Sequence, residues 1–107
     1  MKIHYQKITG DDLNRAIKEI DYEYYPYYDP EPFHKMITRY IMDVRYIHFE
    51  ERFTQYPING NWMSGMYTIT SEGMNKWITA YGHTPEEAVG RVFVRSHYGD
   101  MIEVEYE

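Results

Sequence analysis

The sequence contains no cysteine. Without thiols the chain cannot form a disulfide scaffold, use a thiolate nucleophile or hold zinc through cysteine ligands. A chain free of cysteine fits a reducing compartment, so we expect a cytoplasmic location.

Long hydrophobic runs are also absent, and basic residues are few. No apolar stretch approaches the roughly 20 residues needed to cross a bilayer, and Met1 to Gly10 lacks the apolar run of a signal peptide. We therefore expect neither secretion nor membrane insertion. With 11 lysines and arginines against 17 acids, the net charge is −6. Such a surface repels phosphates, so we expect no direct binding of nucleic acid.

Residue patterns that carry catalysis are missing as well. No serine lies in a nucleophile elbow, and no glycine-rich loop suits a phosphate. Glu86 and Glu87 are neighbours on a predicted helix, where adjacent side chains point apart. The histidines are too scattered for a helical ligand pair: His4, His34, His48, His83 and His97. We expect no enzyme, no metal site and no cofactor.

What the chain does have is enough apolar material for one core. It is 107 residues long and 43% hydrophobic, which predicts a single domain over residues 1–107. After an alternating run from Lys2 to Ile8, Thr9 is a candidate N-cap. A helix follows and ends near Asp21, with one apolar face: Leu13, Ala16, Ile17 and Ile20.

A second apolar stripe predicts another helix, in whose first turn Pro32 is tolerated. Its members are Phe33, Met36, Ile37, Tyr40, Ile41 and Val44. The segment from Arg45 to Arg52 can continue this helix or open a strand. Because Glu50, Glu51 and Arg52 favour helix, we extend the helix to near Phe53.

The last half of the chain predicts a hairpin, a helix and a strand. A turn cluster at Tyr56 to Asn61, in which Gly60 can supply a positive φ, precedes strands at Trp62–Thr70 and Met74–Ala80. The strands are joined by Ser71, Glu72 and Gly73. The residues of the closing elements are as follows: Thr84, Pro85 and Glu87 form a capping box, Ala88, Val89, Val92 and Phe93 a buried face, Gly99 a helix stop, and Met101 to Tyr106 a final strand. The fold class is α+β: a small sheet with a β-hairpin and a C-terminal strand, packed with about three helices.

Five tyrosines within seven positions lie between the first two helices, among acids and prolines. The prolines preclude a continuous helix, so we expect an ordered loop. Tyrosine gives large contact area at low entropic cost, which favours a binding surface. The alternative is a loop that covers the core with its rings inward and its hydroxyls hydrated. The candidate partner-binding residues are Asp21, Tyr22, Glu23, Tyr24, Tyr25, Tyr27, Tyr28 and Asp29.

Three segments near the ends of the chain carry short motifs: Lys7 to Leu13 with Ala16 and Ile17, Gly82 to Ala88 with Arg91 and Val94, and Tyr98 to Asp100 with Glu103 and Val104. These segments resemble the small bacteriophage proteins of the NinX-like, phage ABA-sandwich group. These proteins share a Thr-Gly-x-x-Leu opening, a Thr-Pro-x-x-Ala helix and a Gly-Asp turn into a Glu-Val strand. The resemblance covers about half of the chain and implies a phage or prophage origin, but no activity or catalytic residue.

Three functions remain open at this point. The first is a phage accessory protein in the host cytoplasm that inhibits a host protein, for example a nucleic-acid-binding defence protein, as anti-CRISPR or anti-restriction factors do. The second is a sponge for a small nucleotide, and the third is a small enzyme. A phage protein of another role, with no host target, is a further alternative. A sponge requires cationic phosphate ligands, for which the candidates are Arg39, Arg45, Arg52, Arg91 and Arg95. A homodimer is a further possibility, because the hairpin or the last strand can leave a free edge.

Overall fold

The computed structural model describes residues 1–47 and 60–104. Three α-helices and two small antiparallel sheets make up these residues, which confirms the α+β class. The helices are α1 (Gly10–Ile20), α2 (Pro30–Tyr40) and α3 (Pro85–Tyr98), with a single 3-10 turn at Tyr22–Tyr24. The strands are β1 (Lys2–His4), β2 (Asp43–Tyr46), β3 (Trp62–Ile69), β4 (Asn75–Gly82) and β5 (Met101–Glu103).

The larger sheet has the strand order β2-β3-β4. The predicted hairpin is confirmed: β3 and β4 pair from Trp62 opposite Gly82 to Ile69 opposite Asn75. The C-terminal strand is confirmed too, but it pairs with β1 in a separate sheet, where Ile3 lies opposite Ile102. Gly60 has the expected positive φ, 104°. The rest of that turn cluster, 56–59, and Tyr106 lie outside the described residues.

The cap of α3 forms as its sequence predicts. The Thr84 hydroxyl accepts the Glu87 backbone N–H at 3.1 Å, and Glu87 Oε1 accepts the His83 N–H at 3.1 Å. Helix α3 then packs on β3, β4 and α1 and buries the predicted face. Thr9 is different: it occupies the N-cap position of α1, but its side chain makes no capping hydrogen bond.

The second helix is shorter than predicted. It ends at Tyr40, because Ile41 adopts a left-handed conformation with φ 51°, and the Met42 N–H bonds to the Ile37 carbonyl at 3.0 Å. The extension toward Phe53 is therefore wrong, and its last part, 48–53, lies outside the described residues. Val44 belongs to β2 and lies opposite Ser64 of β3. Pairing with β3 satisfies the backbone of β2, which outweighs the local preference for helix.

Side chains cover part of the outer edge of β4. Gln6 Oε1 accepts the Tyr81 N–H at 2.9 Å, the Arg91 guanidinium donates to the Tyr81 carbonyl, and Arg95 donates to the Thr79 carbonyl. Strand edges usually need such protection from other chains. A second copy cannot pair with β4 at Tyr81 and Thr79 while these bonds are in place.

Candidate functional site

The tyrosine segment, residues 21–29, is an ordered connection between α1 and α2. The Asp21 N–H bonds to Ile17 of α1, and the Asp21 carboxylate accepts the Glu23 N–H at 3.0 Å to begin the 3-10 turn. Farther along, the buried Asn14 side chain of α1 accepts the Tyr27 N–H at 3.0 Å. These bonds hold both halves of the segment against the first helix.

Two of the five tyrosines point inward. The Tyr24 ring is buried, with centroids 5.4 Å from Phe93 of α3 and 6.0 Å from Tyr40 of α2, both in edge-to-face geometry. Tyr27 is also buried. Burial raises the pKa of both phenols, and the Glu87 carboxylate adds to the effect on the Tyr27 pKa. These two rings anchor the segment and are unavailable to a partner.

The other three rings point outward. Tyr22 is 66% exposed, Tyr28 59% and Tyr25 37%. The Tyr22 and Tyr25 centroids are 5.7 Å apart, and the Lys18 ammonium of α1 lies 5.5 Å from the first and 4.9 Å from the second. The segment is therefore neither wholly a contact surface nor wholly a cover for the core. We call Tyr22, Tyr25 and Tyr28 the outward tyrosines.

Beside Tyr22 and Tyr25 lies a groove of about 620 Å³. Three of its nine lining residues are prolines, whose fixed φ makes that part of the wall stiff. Its charged side chains are three carboxylates and one ammonium. We call it the segment groove, and its lining is Tyr22, Glu23, Tyr25, Pro26, Asp29, Pro30, Glu31, Pro32 and Lys35. The lining from Pro30 to Lys35 was not predicted from the sequence as part of the site, although the spacing of Glu31 and Lys35 on a helix indicates an ion pair.

The acids of the groove differ in how they are paired. The Lys35 ammonium lies 3.3 Å from Glu31 and 3.8 Å from Glu23. Glu23 also lies 3.9 Å from Arg39. Asp29 is the N-cap residue of α2, yet its carboxylate makes no capping bond and no ion pair with any described residue. The groove thus keeps one carboxylate whose acceptor sites are open.

The structure gives other roles to two of the arginines considered as phosphate ligands. Arg91 is buried, donates to the carbonyls of Ile8 and Tyr81, and pairs with Glu87 at 3.1 Å. Arg95 donates to the Thr79 carbonyl and pairs with Asp100. Arg52 lies outside the described residues. Two of the candidate phosphate ligands of the nucleotide-sponge hypothesis, Arg91 and Arg95, are therefore engaged by groups within the fold.

Across residues 1–47 and 60–104, no three histidine or acidic side chains are placed to hold a metal ion together. Glu87 is engaged by Arg91 and by the His83 N–H, as its predicted capping role requires. Within the same ranges no helix is long and apolar enough to span a bilayer.

A second exposed aromatic pair lies on the hairpin, away from the tyrosine segment in sequence. Tyr67 and Trp77 face each other across β3 and β4 with centroids 4.9 Å apart, and Tyr67 is 64% exposed. The Trp77 ring lies over Gly65, where a Cβ would come within 2.2 Å of it. This pair is a useful reference surface, because Tyr67 matches Tyr22 in exposure.

No protein-family model, curated protein or solved structure matches this chain. The resemblance of the terminal segments to the phage ABA-sandwich group stays a prediction. The assignment of a function therefore rests on the geometry of the tyrosine segment.

Proposed function

We propose that this chain is a non-enzymatic phage or prophage accessory protein that binds and inhibits a host protein through the outward tyrosines and the acids beside them. The target is a host defence protein with a basic surface, of the kind that anti-CRISPR or anti-restriction factors block. The phage origin rests on the resemblance of the terminal segments.

The observation that carries the proposal is that two of the five tyrosines are buried and three are exposed. Tyr24 and Tyr27 anchor the segment in the core, while Tyr22, Tyr25 and Tyr28 remain exposed on an ordered backbone. Exposed aromatic rings held in place lose little conformational entropy on binding, which is the property of an interface anchor.

The charge around the rings favours a basic partner. Glu23, Asp29 and Glu31 line the groove, and the whole chain carries a net charge of −6. That charge is modest, so long-range attraction speeds the encounter while the aromatic contacts supply most of the affinity. A basic nucleic-acid site on a defence protein is such a partner surface.

The test is capture of partners from host lysate, followed by titration of the purified partner. Tyr22→Ala is compared with Tyr67→Ala, because the two rings are 66% and 64% exposed on different elements. Loss of an interface anchor costs about 2 kcal/mol, or roughly 30-fold in affinity. We expect this loss for Tyr22→Ala and an unchanged affinity for Tyr67→Ala.

Thermal unfolding of both variants checks that the fold is intact. Because both rings are largely exposed, we expect each variant to unfold close to the wild type. The proposal fails if no stoichiometric partner is recovered by the wild-type chain. It also fails if Tyr67→Ala weakens the complex and Tyr22→Ala does not.

A further inference from the structure

The segment groove has an excess of negative charge that its own lysine does not remove. Lys35 is shared between Glu31 and Glu23, whereas Asp29 has no cationic partner among the described residues. All three acids and the Lys35 side chain are exposed, so none of them is locked in place by burial. An added cation can therefore bind the Asp29 carboxylate without displacing an existing ion pair.

The aromatic wall of the groove is chemically suited to the same kind of guest. The Lys18 ammonium lies 4.9 Å from the Tyr25 centroid and 5.5 Å from the Tyr22 centroid, which is within cation–π range. Lys18 lines a neighbouring depression with Asp11, Asn14 and Arg15, and Tyr25 lines both that depression and the groove. The chain itself thus places a cation against these rings from outside the groove.

We propose that the segment groove receives an arginine side chain of the partner protein, whose guanidinium stacks against Tyr25 and donates to the Asp29 carboxylate. This inference rests on the proposed function, since it names the chemical group that the host protein contributes. Arginine is the choice over lysine for a physical reason. A guanidinium is flat, weakly hydrated and able to form two parallel bonds to one carboxylate, so it satisfies a ring and an acid together.

The proline wall supports an extended guest. Pro26, Pro30 and Pro32 give the groove a stiff apolar rim beside its aromatic rings. Grooves of aromatic rings commonly take extended segments, whose side chains reach in from a backbone that lies along the rim. The partner segment is accordingly an exposed, extended stretch that carries arginine.

The experiment titrates the purified chain with short, end-capped glycine–serine peptides that differ at one position. That position holds arginine, lysine or citrulline, which has the shape of arginine without its charge. Backbone amide shifts measured by NMR report both affinity and location. We expect the arginine peptide to bind roughly tenfold more tightly than the citrulline peptide, with the shifts confined to the segment groove.

Asp29→Asn removes the open charge with little change of shape, and Asp43→Asn on β2 is the matched control. We expect Asp29→Asn to reduce arginine binding to the level of citrulline and Asp43→Asn to leave it unchanged. Equal binding of the lysine peptide, or of spermidine as a free cation, would overturn the assignment of a guanidinium. Equal binding of citrulline would do the same.

The two proposals can fail separately. The arginine assignment is wrong, and the proposed function stands, if Tyr22→Ala weakens binding of the host protein while two peptide results are negative. These results are that Asp29→Asn leaves binding of the arginine peptide unchanged and that the citrulline peptide binds as tightly as the arginine peptide. If the wild-type chain recovers no partner, the proposed function is wrong even where the peptides bind.

Discussion

Arg91 provides a direct test of the claim that an arginine considered as a phosphate ligand is instead part of the fold. Its side chain is 3% exposed and contacts Ile8, Tyr81 and Glu87 among the described residues. Nε donates to the Ile8 carbonyl at 3.0 Å, while one terminal nitrogen donates to the Tyr81 carbonyl at 2.9 Å and pairs with Glu87 at 3.1 Å. The substitution to make is Arg91→Met, which keeps an unbranched chain and removes every donor.

We expect Arg91→Met to lower the free energy of unfolding, because the groups that Arg91 contacts lose their partner. Two carbonyls lose a donor, and the Glu87 carboxylate, with a side chain only 14% exposed, loses its counter-charge. Burial lowers the Arg91 pKa and Glu87 opposes that shift, as expected of a buried cation held by its partner. Breaking a buried pair by removing one member costs about 3–5 kcal/mol. For a domain of this size that corresponds to a fall in Tm of roughly 12–20 °C.

The assay is urea unfolding followed by circular dichroism, with Arg95→Met as the control. Arg95 lies one turn further along α3 and also bonds to a carbonyl, that of Thr79, and to a carboxylate, that of Asp100. Its side chain is 21% exposed and that of Asp100 is 64% exposed, so water can replace part of what is lost. We expect a cost of about 1 kcal/mol for Arg95→Met.

A structural role for Arg91 would be refuted by equal losses of unfolding free energy in the two variants. It would also be refuted if Arg91→Met left the unfolding midpoint unchanged but removed binding of a cyclic nucleotide. In that case Arg91 would be a ligand residue, and the nucleotide-sponge hypothesis would return.

Three further predictions concern stability and the anchoring of the tyrosine segment. The buried Ser64 hydroxyl has no hydrogen-bond partner among the described residues. Ser64→Ala should therefore stabilise the fold by up to about 1 kcal/mol, measured by urea unfolding. A loss of stability would contradict this prediction. Asn14→Ala leaves the buried Tyr27 N–H without its acceptor. The variant should lose about 1–3 kcal/mol of unfolding free energy and should capture the partner more weakly. Unchanged unfolding and capture would show that this bond does not hold the segment. Burial raises the pKa of Tyr24 and Tyr27 in the folded chain. The stability that their protonated phenols contribute is fully present below the unfolded pKa of about 10, and it is lost as the pH rises through the higher folded pKa. Unfolding midpoints measured from about pH 8 to about pH 11 should therefore fall at the alkaline end, and less steeply for Tyr24→Phe; equal slopes would contradict the assignment.

Local signals predicted the second half of the fold well. The capping box at Thr84, the hairpin turn at Gly73 and the stop at Gly99 each depend on residues that are adjacent in the chain. The end of α2 was predicted wrongly because it depends on a distant partner. Ile41 is a β-branched residue in a left-handed conformation, which local preferences disfavour, and the pairing of β2 with β3 compensates for it.

The candidate site was predictable in its position but not in its orientation. The acids, prolines and tyrosines of residues 21–29 are visible in the sequence and identify an ordered, aromatic connection. Which rings turn inward is decided by groups elsewhere, namely Asn14 on α1 and Phe93 on α3. Nothing within the segment itself distinguishes Tyr24 from Tyr25.

Radical footprinting of the tyrosine side chains, with and without the captured host protein, tests the central claim most directly. In the free chain Tyr22 and Tyr67 should be oxidised readily, because they are similarly exposed, and Tyr24 should be protected. In the complex we predict that Tyr22 becomes protected while Tyr67 is oxidised as before. Protection of Tyr67 with no change at Tyr22 would place the interface on the hairpin and contradict the account.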